Sequence, residues 1–131
     1  MRVFSFAQES TRYCNYSKDK FGNELTFIIP TWYESANPLT QSAFRGVLSD
    51  CEESYLWLLD QKYTPQQARQ VLPNALKTEV VMTGFVSDWK HFFRLRTSFL
   101  AGTGKPHPDM SCLADTLYTE FVKRKFIEPL V

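Results

Sequence analysis

The sequence predicts an α+β fold, and three observations carry that prediction. Short apolar runs bounded by turn residues, at 25–29 and 77–83, read as strands. Longer stretches with apolar residues at three- and four-residue steps read as helices. Their order is strand, helix, short helix, strand, helix, helix, with no repeat, low-complexity tract or dividing linker. A chain of 131 residues, 44% hydrophobic and 22% charged, suits one domain, residues 1–131. Aromatic residues make up 15%, which suits both a ring-rich core and stacking on a flat ligand.

Residues 3–6, Val-Phe-Ser-Phe, form a short strand or a buried turn before a polar stretch that contains Gln8, Ser10 and Arg12. Residues 17–23 are a polar loop with Gly22-Asn23 as its turn signal. Leu25 to Ile29 should be a strand, stopped by Pro30. Asn37-Pro38 then starts a long helix, with Asn as cap and Pro in the first turn. Phe44, Val47, Leu48, Cys51, Tyr55, Leu58 and Leu59 mark its apolar face, and it ends near Tyr63. Thr64-Pro65 repeats the device for a short helix ended by Pro73. Lys77 to Thr83 has strand character, closed by Gly84.

Ser87 should cap the next helix, on which Trp89, Phe92, Phe93, Phe99 and Leu100 make an apolar stripe. Arg96 falls within that stripe, three residues after Phe93 and four after Phe92. A guanidinium among rings needs an anion or a hydrogen-bonded partner. It either forms an internal ion pair, snorkels to the rim, or is aimed into a pocket that holds an anionic ligand. His91 points away from the stripe. Asp109 should open a last helix with Met110, Leu113, Ala114, Leu117 and Phe121 on one face and basic residues 123–125 at its end.

Net charge is +1 with no run of one sign, so no basic face for nucleic acid is indicated. The three cysteines, Cys14, Cys51 and Cys112, are far apart and odd in number. They predict neither a disulfide framework nor a metal site, and a reduced compartment. With no signal peptide or spanning segment in view, a cytoplasmic protein without membrane partners is expected. The glycines of 102–108 are too few and wrongly spaced for a phosphate-binding P-loop. Arg2, Arg12, Arg69 and Arg96 could converge on one oxyanion, and Ser10 could add a donor.

Three blocks in order go further. Arg2, then seven residues, then Ser10, with Thr11-Arg12-Tyr13 after it, form the first. Ala68-Arg69-Gln70-Val71-Leu72-Pro73 is the second. Thr78, Thr83 and His91-Phe92-Phe93-Arg94-Leu95-Arg96 form the third. From Arg2 to about Phe121 the sequence resembles the flavin-dependent thymidylate synthases. The resemblance implies methylation of dUMP to dTMP, with methylenetetrahydrofolate as carbon donor, FAD as cofactor, NADPH as reductant, and a homotetramer with sites at subunit interfaces. It implies dUMP binding by Gln8, Ser10, Arg12, Arg69 and Arg96, and FAD contacts from Arg2 and His91. Arg96 would be the catalytic residue, holding the uracil in its ionised form. Cys14 is not required as a nucleophile, and a half-buried structural thiol is the preferred reading.

The sequence departs from the pattern in four places. Met1 stands where the motif has His, and the preceding Arg is absent. The family's N-terminal part has no counterpart, so the chain is expected to be its C-terminal portion. Phe85 and Ser87 replace an Asn-x-Arg that contacts flavin, and Gln8 stands where an acidic residue is common. The alternatives are a non-catalytic dUMP-binding module of that family and a purely structural domain with Arg96 in an internal salt bridge.

Overall fold

The computed structural model describes residues 4–17, 22, 24–100 and 104–130. The chain forms two compact units, one of residues 8–80 and one of residues 1–7 with 81–131. The boundary falls within two short strands, β1 (Ser5–Gln8) and β2 (Val80–Thr83), which pair in a two-stranded sheet.

The first unit is built on helix α1, Pro38–Asp60. Asn37 caps it as its sequence predicts, its side chain accepting the Thr40 amide at 2.9 Å, with Pro38 at the first position. Lys62, with φ of 68°, turns the chain out of the helix. Helix α2, Pro65–Ala68, follows and runs directly into a 3₁₀ turn, Arg69–Val71. Gln67 Oε1 accepts both the amide and the hydroxyl proton of Thr64, which ties down the start of α2.

The core of this unit gathers Tyr16, Leu25, Tyr55 and Ala68, with Leu58, Leu59, Val71, Leu72 and Leu76 packed against them. Tyr55 and Ala68 are wholly buried. Ala68 lets the backbone of α2 lie close to the ring of Tyr55, where a larger side chain would overpack. A second aromatic group joins Trp32, Tyr33 and Phe44, with the Arg45 guanidinium over the Tyr33 ring at 5.5 Å.

The other unit pairs helix α3 (Val86–Arg96) with α4 (Pro108–Lys123). Phe93, Tyr118 and Ile127 are buried between them, with Trp89, Phe92, Leu117 and Phe121 at their edge. The rings meet mostly edge to face, for instance Phe93 with Tyr118 at 5.4 Å and with Phe121 at 5.2 Å. Thr97 ends α3: it is fully buried, and its hydroxyl donates to the Phe93 carbonyl at 2.7 Å. Ser98 then donates its amide and hydroxyl to the two carboxylate oxygens of Asp115 on α4. No helix among the described residues is long and apolar enough to cross a membrane.

Several sequence expectations need correction. Residues 25–29 form no strand. They run extended and meet residues 75–77 through a single antiparallel bridge, Phe27 with Leu76. Pro30 and Pro73 bound both stretches, so the pairing stays short. Helix α3 begins one residue before Ser87, after Phe85, whose amide is met by Asp88 Oδ2 at 3.3 Å. It ends at Arg96, and Phe99 lies outside it, exposed. Val47 on α1 and Leu113 on α4 belong to the expected apolar faces yet are exposed, Leu113 by 70%. His107 rather than Asp109 caps α4. Arg96 is not buried within the stripe but exposed.

Two stability predictions follow from the first unit. The Tyr33 hydroxyl is buried with no hydrogen-bond partner among the described residues. Deleting an unsatisfied buried group removes its desolvation penalty. Tyr33→Phe should therefore leave the urea midpoint unchanged or raise it, and a clear fall would contradict this. Burial, and then the nearby Glu9, push the Tyr16 phenol from 10.0 up to about 12, and burial also raises Tyr55. The unfolded chain therefore loses its phenolic proton first, so stability is kept below pH 10.0 and lost as pH rises toward about 12. Denaturation midpoints should fall over that window, and Tyr16→Phe should flatten the fall; an equal fall in the variant would refute the assignment.

Candidate functional site

The turn that follows β1 carries the first motif. Ser10 organises it: its carbonyl accepts the amides of Tyr13 and Cys14, each at 3.0 Å, and its hydroxyl accepts the Arg12 amide at 3.4 Å. The turn is fastened to the unit's core from below. Tyr55, rising from α1, donates its hydroxyl proton to the Cys14 carbonyl at 3.4 Å. Cys14 Sγ lies 3.4 Å from Glu9 Oε1 and donates to it.

Two arginines tie this turn to α2 and the 3₁₀ turn after it. Arg69 Nη1 donates to Thr11 Oγ1 at 3.0 Å. Arg12 Nε donates to Gln66 Oε1 at 3.1 Å, and its guanidinium lies 5.2 Å from the centre of the Tyr13 ring. The residues are 58 and 54 positions apart in sequence, respectively. The two bonds differ in setting: the Arg69 bond is part-buried, whereas the Arg12 bond is exposed and counts for less.

Between these segments lies a cleft of about 360 Å³. It is lined by Gln8, Glu9, Ser10 and Thr11 from the turn, Arg69 from the 3₁₀ turn, and Leu76 and Thr78 from the approach to β2. That volume is at the small end of ligand pockets. Its lining combines a guanidinium, hydroxyls, an amide and a carboxylate, and so suits a ligand with an anionic end and a hydrogen-bonding end. Thr78 is held beside it, its hydroxyl donating to the Glu9 carbonyl at 3.4 Å, while the Glu9 amide donates to the Glu79 carbonyl at 2.9 Å. Lys77 bonds Glu79 and holds its carboxyl below its usual range.

Of the residues singled out in the sequence, the fold thus brings Gln8, Ser10 and Arg69 to one cleft and sets Arg12 on the turn beside it. His91 and Arg96 belong to the other unit, and Arg2 lies outside the described residues. Arg96, at the end of α3, lines a smaller cleft of about 200 Å³ with Leu95, Gly104, Lys105 and Pro106. Neither Arg96 nor Lys105 has an ion pair among the described residues, so the internal salt bridge considered for Arg96 is absent there. His91 is exposed on α3 and makes no hydrogen bond among the described residues, which leaves both ring nitrogens free for a ligand. Phe85, 82% exposed, offers a flat face at the start of the same helix. No group of three or more metal-binding side chains is present among the described residues.

Sequence reasoning named Thr11 and Thr78 within the motif blocks but gave neither a place in the site, and it gave none to Glu9 or Gln66. Thr11 lies between Ser10 and Arg12, and Gln66 lies one turn before Arg69. That i, i+3 spacing is the signal which could have found Gln66.

The chain matches the thymidylate synthase complementing protein family over residues 1–124. It belongs to that family. Among its relatives, the flavin-dependent thymidylate synthase of Geobacter sulfurreducens is 32% identical over 95 residues, covering 72% of this chain and 39% of that protein. The Pyrococcus furiosus enzyme of the same name is 27% identical across 99% of this chain and 50% of its own length. Among solved structures, the UMP/dUMP methylase PolB from Streptomyces cacaoi, bound with 5-Br dUMP, is similar with a TM-score of 0.71 and 25% identity. That match covers 93% of this chain and 58% of PolB. The chain spans about half the length of the curated relatives it matches.

Proposed function

We propose that this chain is the nucleotide-binding, C-terminal portion of a flavin-dependent thymidylate synthase, which methylates dUMP to dTMP with methylenetetrahydrofolate as carbon donor. The observation that carries this reading is the cleft itself. Two motif blocks far apart in sequence, 8–12 and 68–73, meet there, with the Arg69 guanidinium beside the hydroxyls of Ser10 and Thr11.

In this reading Arg69 and Arg12 take the phosphate, since a guanidinium fork matches two oxyanion oxygens at once. Ser10 adds a hydroxyl donor, and Gln8, able to donate and accept, meets the nucleoside. Arg96 contacts the uracil and stabilises its ionised form, which raises electron density at the ring carbon to be methylated. A fixed cation does this without moving a proton of its own, so no cysteine nucleophile is needed. Cys14, whose thiol is spent on Glu9, keeps a structural part. FAD, reduced by NADPH, supplies the hydride when bound, and His91 with Arg2 would hold it. The active assembly is a homotetramer in the cytoplasm. Its support is the apolar surface left open: Leu39 is 81% exposed and Trp57 61%, and Phe99 and Val47 are also open.

Tritium release from 5-tritiated dUMP, with FAD, NADPH and methylenetetrahydrofolate supplied, tests the activity. Release above the background of Arg96→Ala is expected, and an active Arg96→Ala variant would remove the catalytic assignment. No release from folded protein that still binds dUMP would favour the non-catalytic nucleotide-binding alternative. For Arg69→Ala, calorimetry should show dUMP binding weakened by about 1.5–3 kcal/mol, the scale of a lost charged hydrogen bond. Unchanged affinity would take Arg69 out of the site.

A further inference from the structure

Arg69 could bind an anion without help, but a free arginine side chain must first be immobilised. Here it is already held. Its Nη1 donates to Thr11 Oγ1 at 3.0 Å, in a part-buried setting, and both residues line the same cleft. Thr11 is itself fixed by its place in the Ser10 turn, which Tyr55 fastens to the core. A threonine hydroxyl carries one proton and two lone pairs. The bond from Arg69 uses one lone pair and leaves the proton. No acceptor takes that proton among the described residues, and donation by the guanidinium polarises the hydroxyl and makes it a stronger donor.

We propose that Thr11 is a positioning residue for nucleotide binding: it presets the Arg69 guanidinium toward the substrate phosphate and turns its own hydroxyl proton to the same group. This rests on the dUMP-binding reading above and adds to it a residue to which the resemblance assigns no role. The hydroxyl is what matters, not the methyl group. A serine keeps the lone pairs and the proton, whereas a valine of the same shape keeps neither.

Calorimetric titration of the 131-residue chain with dUMP and with deoxyuridine, which lacks the phosphate, tests it. Ordering one long side chain costs enough that Thr11→Val should bind dUMP about three- to tenfold more weakly. Its affinity for deoxyuridine should be unchanged, and Thr11→Ser should restore dUMP binding to within about twofold, less than the cost of one ordered side chain. Equal losses for dUMP and deoxyuridine, or a loss in Thr11→Ser as large as in Thr11→Val, would overturn the inference by assigning Thr11 to packing. If Arg69→Ala weakens dUMP binding and Thr11→Val does not, this inference alone falls. If the unsubstituted chain binds no dUMP, the nucleotide reading falls and takes it along.

Discussion

The hydroxyl of Tyr55 is where the core of residues 8–80 meets its cleft. The ring is wholly buried, and the oxygen at its tip donates to the carbonyl of Cys14. The bond is part-buried and ties the turn to α1. Everything in the cleft inherits that position. Ser10 closes the turn, Thr11 faces Arg69, and Glu9 is turned to the Cys14 thiol. The same ring packs against Ala68, the residue before Arg69. One buried side chain therefore joins the turn through its hydroxyl and shares a core with the residue before Arg69. The tyrosine is costly to ionise there, because burial opposes the phenolate and Cys14 adds to it.

The second unit is organised differently. Its centre is the edge-to-face packing of Phe93 with Tyr118 and Phe121, and its polar groups sit at the end of α3. Thr97 turns extended after Arg96, its amide and hydroxyl both donating to the Phe93 carbonyl, and Ser98 gives its amide to Asp115. Arg96 is thus placed where the chain leaves the helix, with its side chain open to solvent. The carbonyl ends of α3 favour a cation there by a modest amount, about 0.3–1 kcal/mol.

Much of this was legible in the sequence. Asn37-Pro38 and Thr64-Pro65 announce α1 and α2 because a capping side chain and a proline at the first position act locally. The rings at 89, 92 and 93 announce the core of the second unit by their spacing. What periodicity could not show is which apolar face stays uncovered. Val47, Leu113 and Phe99 fit the pattern and are exposed, because spacing records only that a residue is apolar and not what lies opposite it. Arg96 failed the same way: its step from Phe93 put it on the stripe, but the helix ends there and frees the side chain. In the cleft, Ser10, Arg12 and Arg69 were named by motif, whereas Thr11 and Gln66 act through bonds to residues more than fifty positions away. No local pattern shows those distant partners, although the i, i+3 spacing to Arg69 points to Gln66 itself.

The exposed Arg96 bears on how a site of this kind can work. A cation in open water polarises a ring weakly, because solvent screens it, while the same charge in a water-excluded pocket is worth several times more. Either Arg96 has no electrostatic part in the chemistry, or something excludes water from it. Its own unit offers a shallow lining of Leu95, Gly104 and Pro106, and a second cation, Lys105. Two cations without a carboxylate beside them are stable only while hydrated or while an anion lies between them. That lining alone does not exclude water from the guanidinium. The fold of the single chain supplies a position for this cation, and the role proposed for Arg96 requires a water-excluded setting in addition.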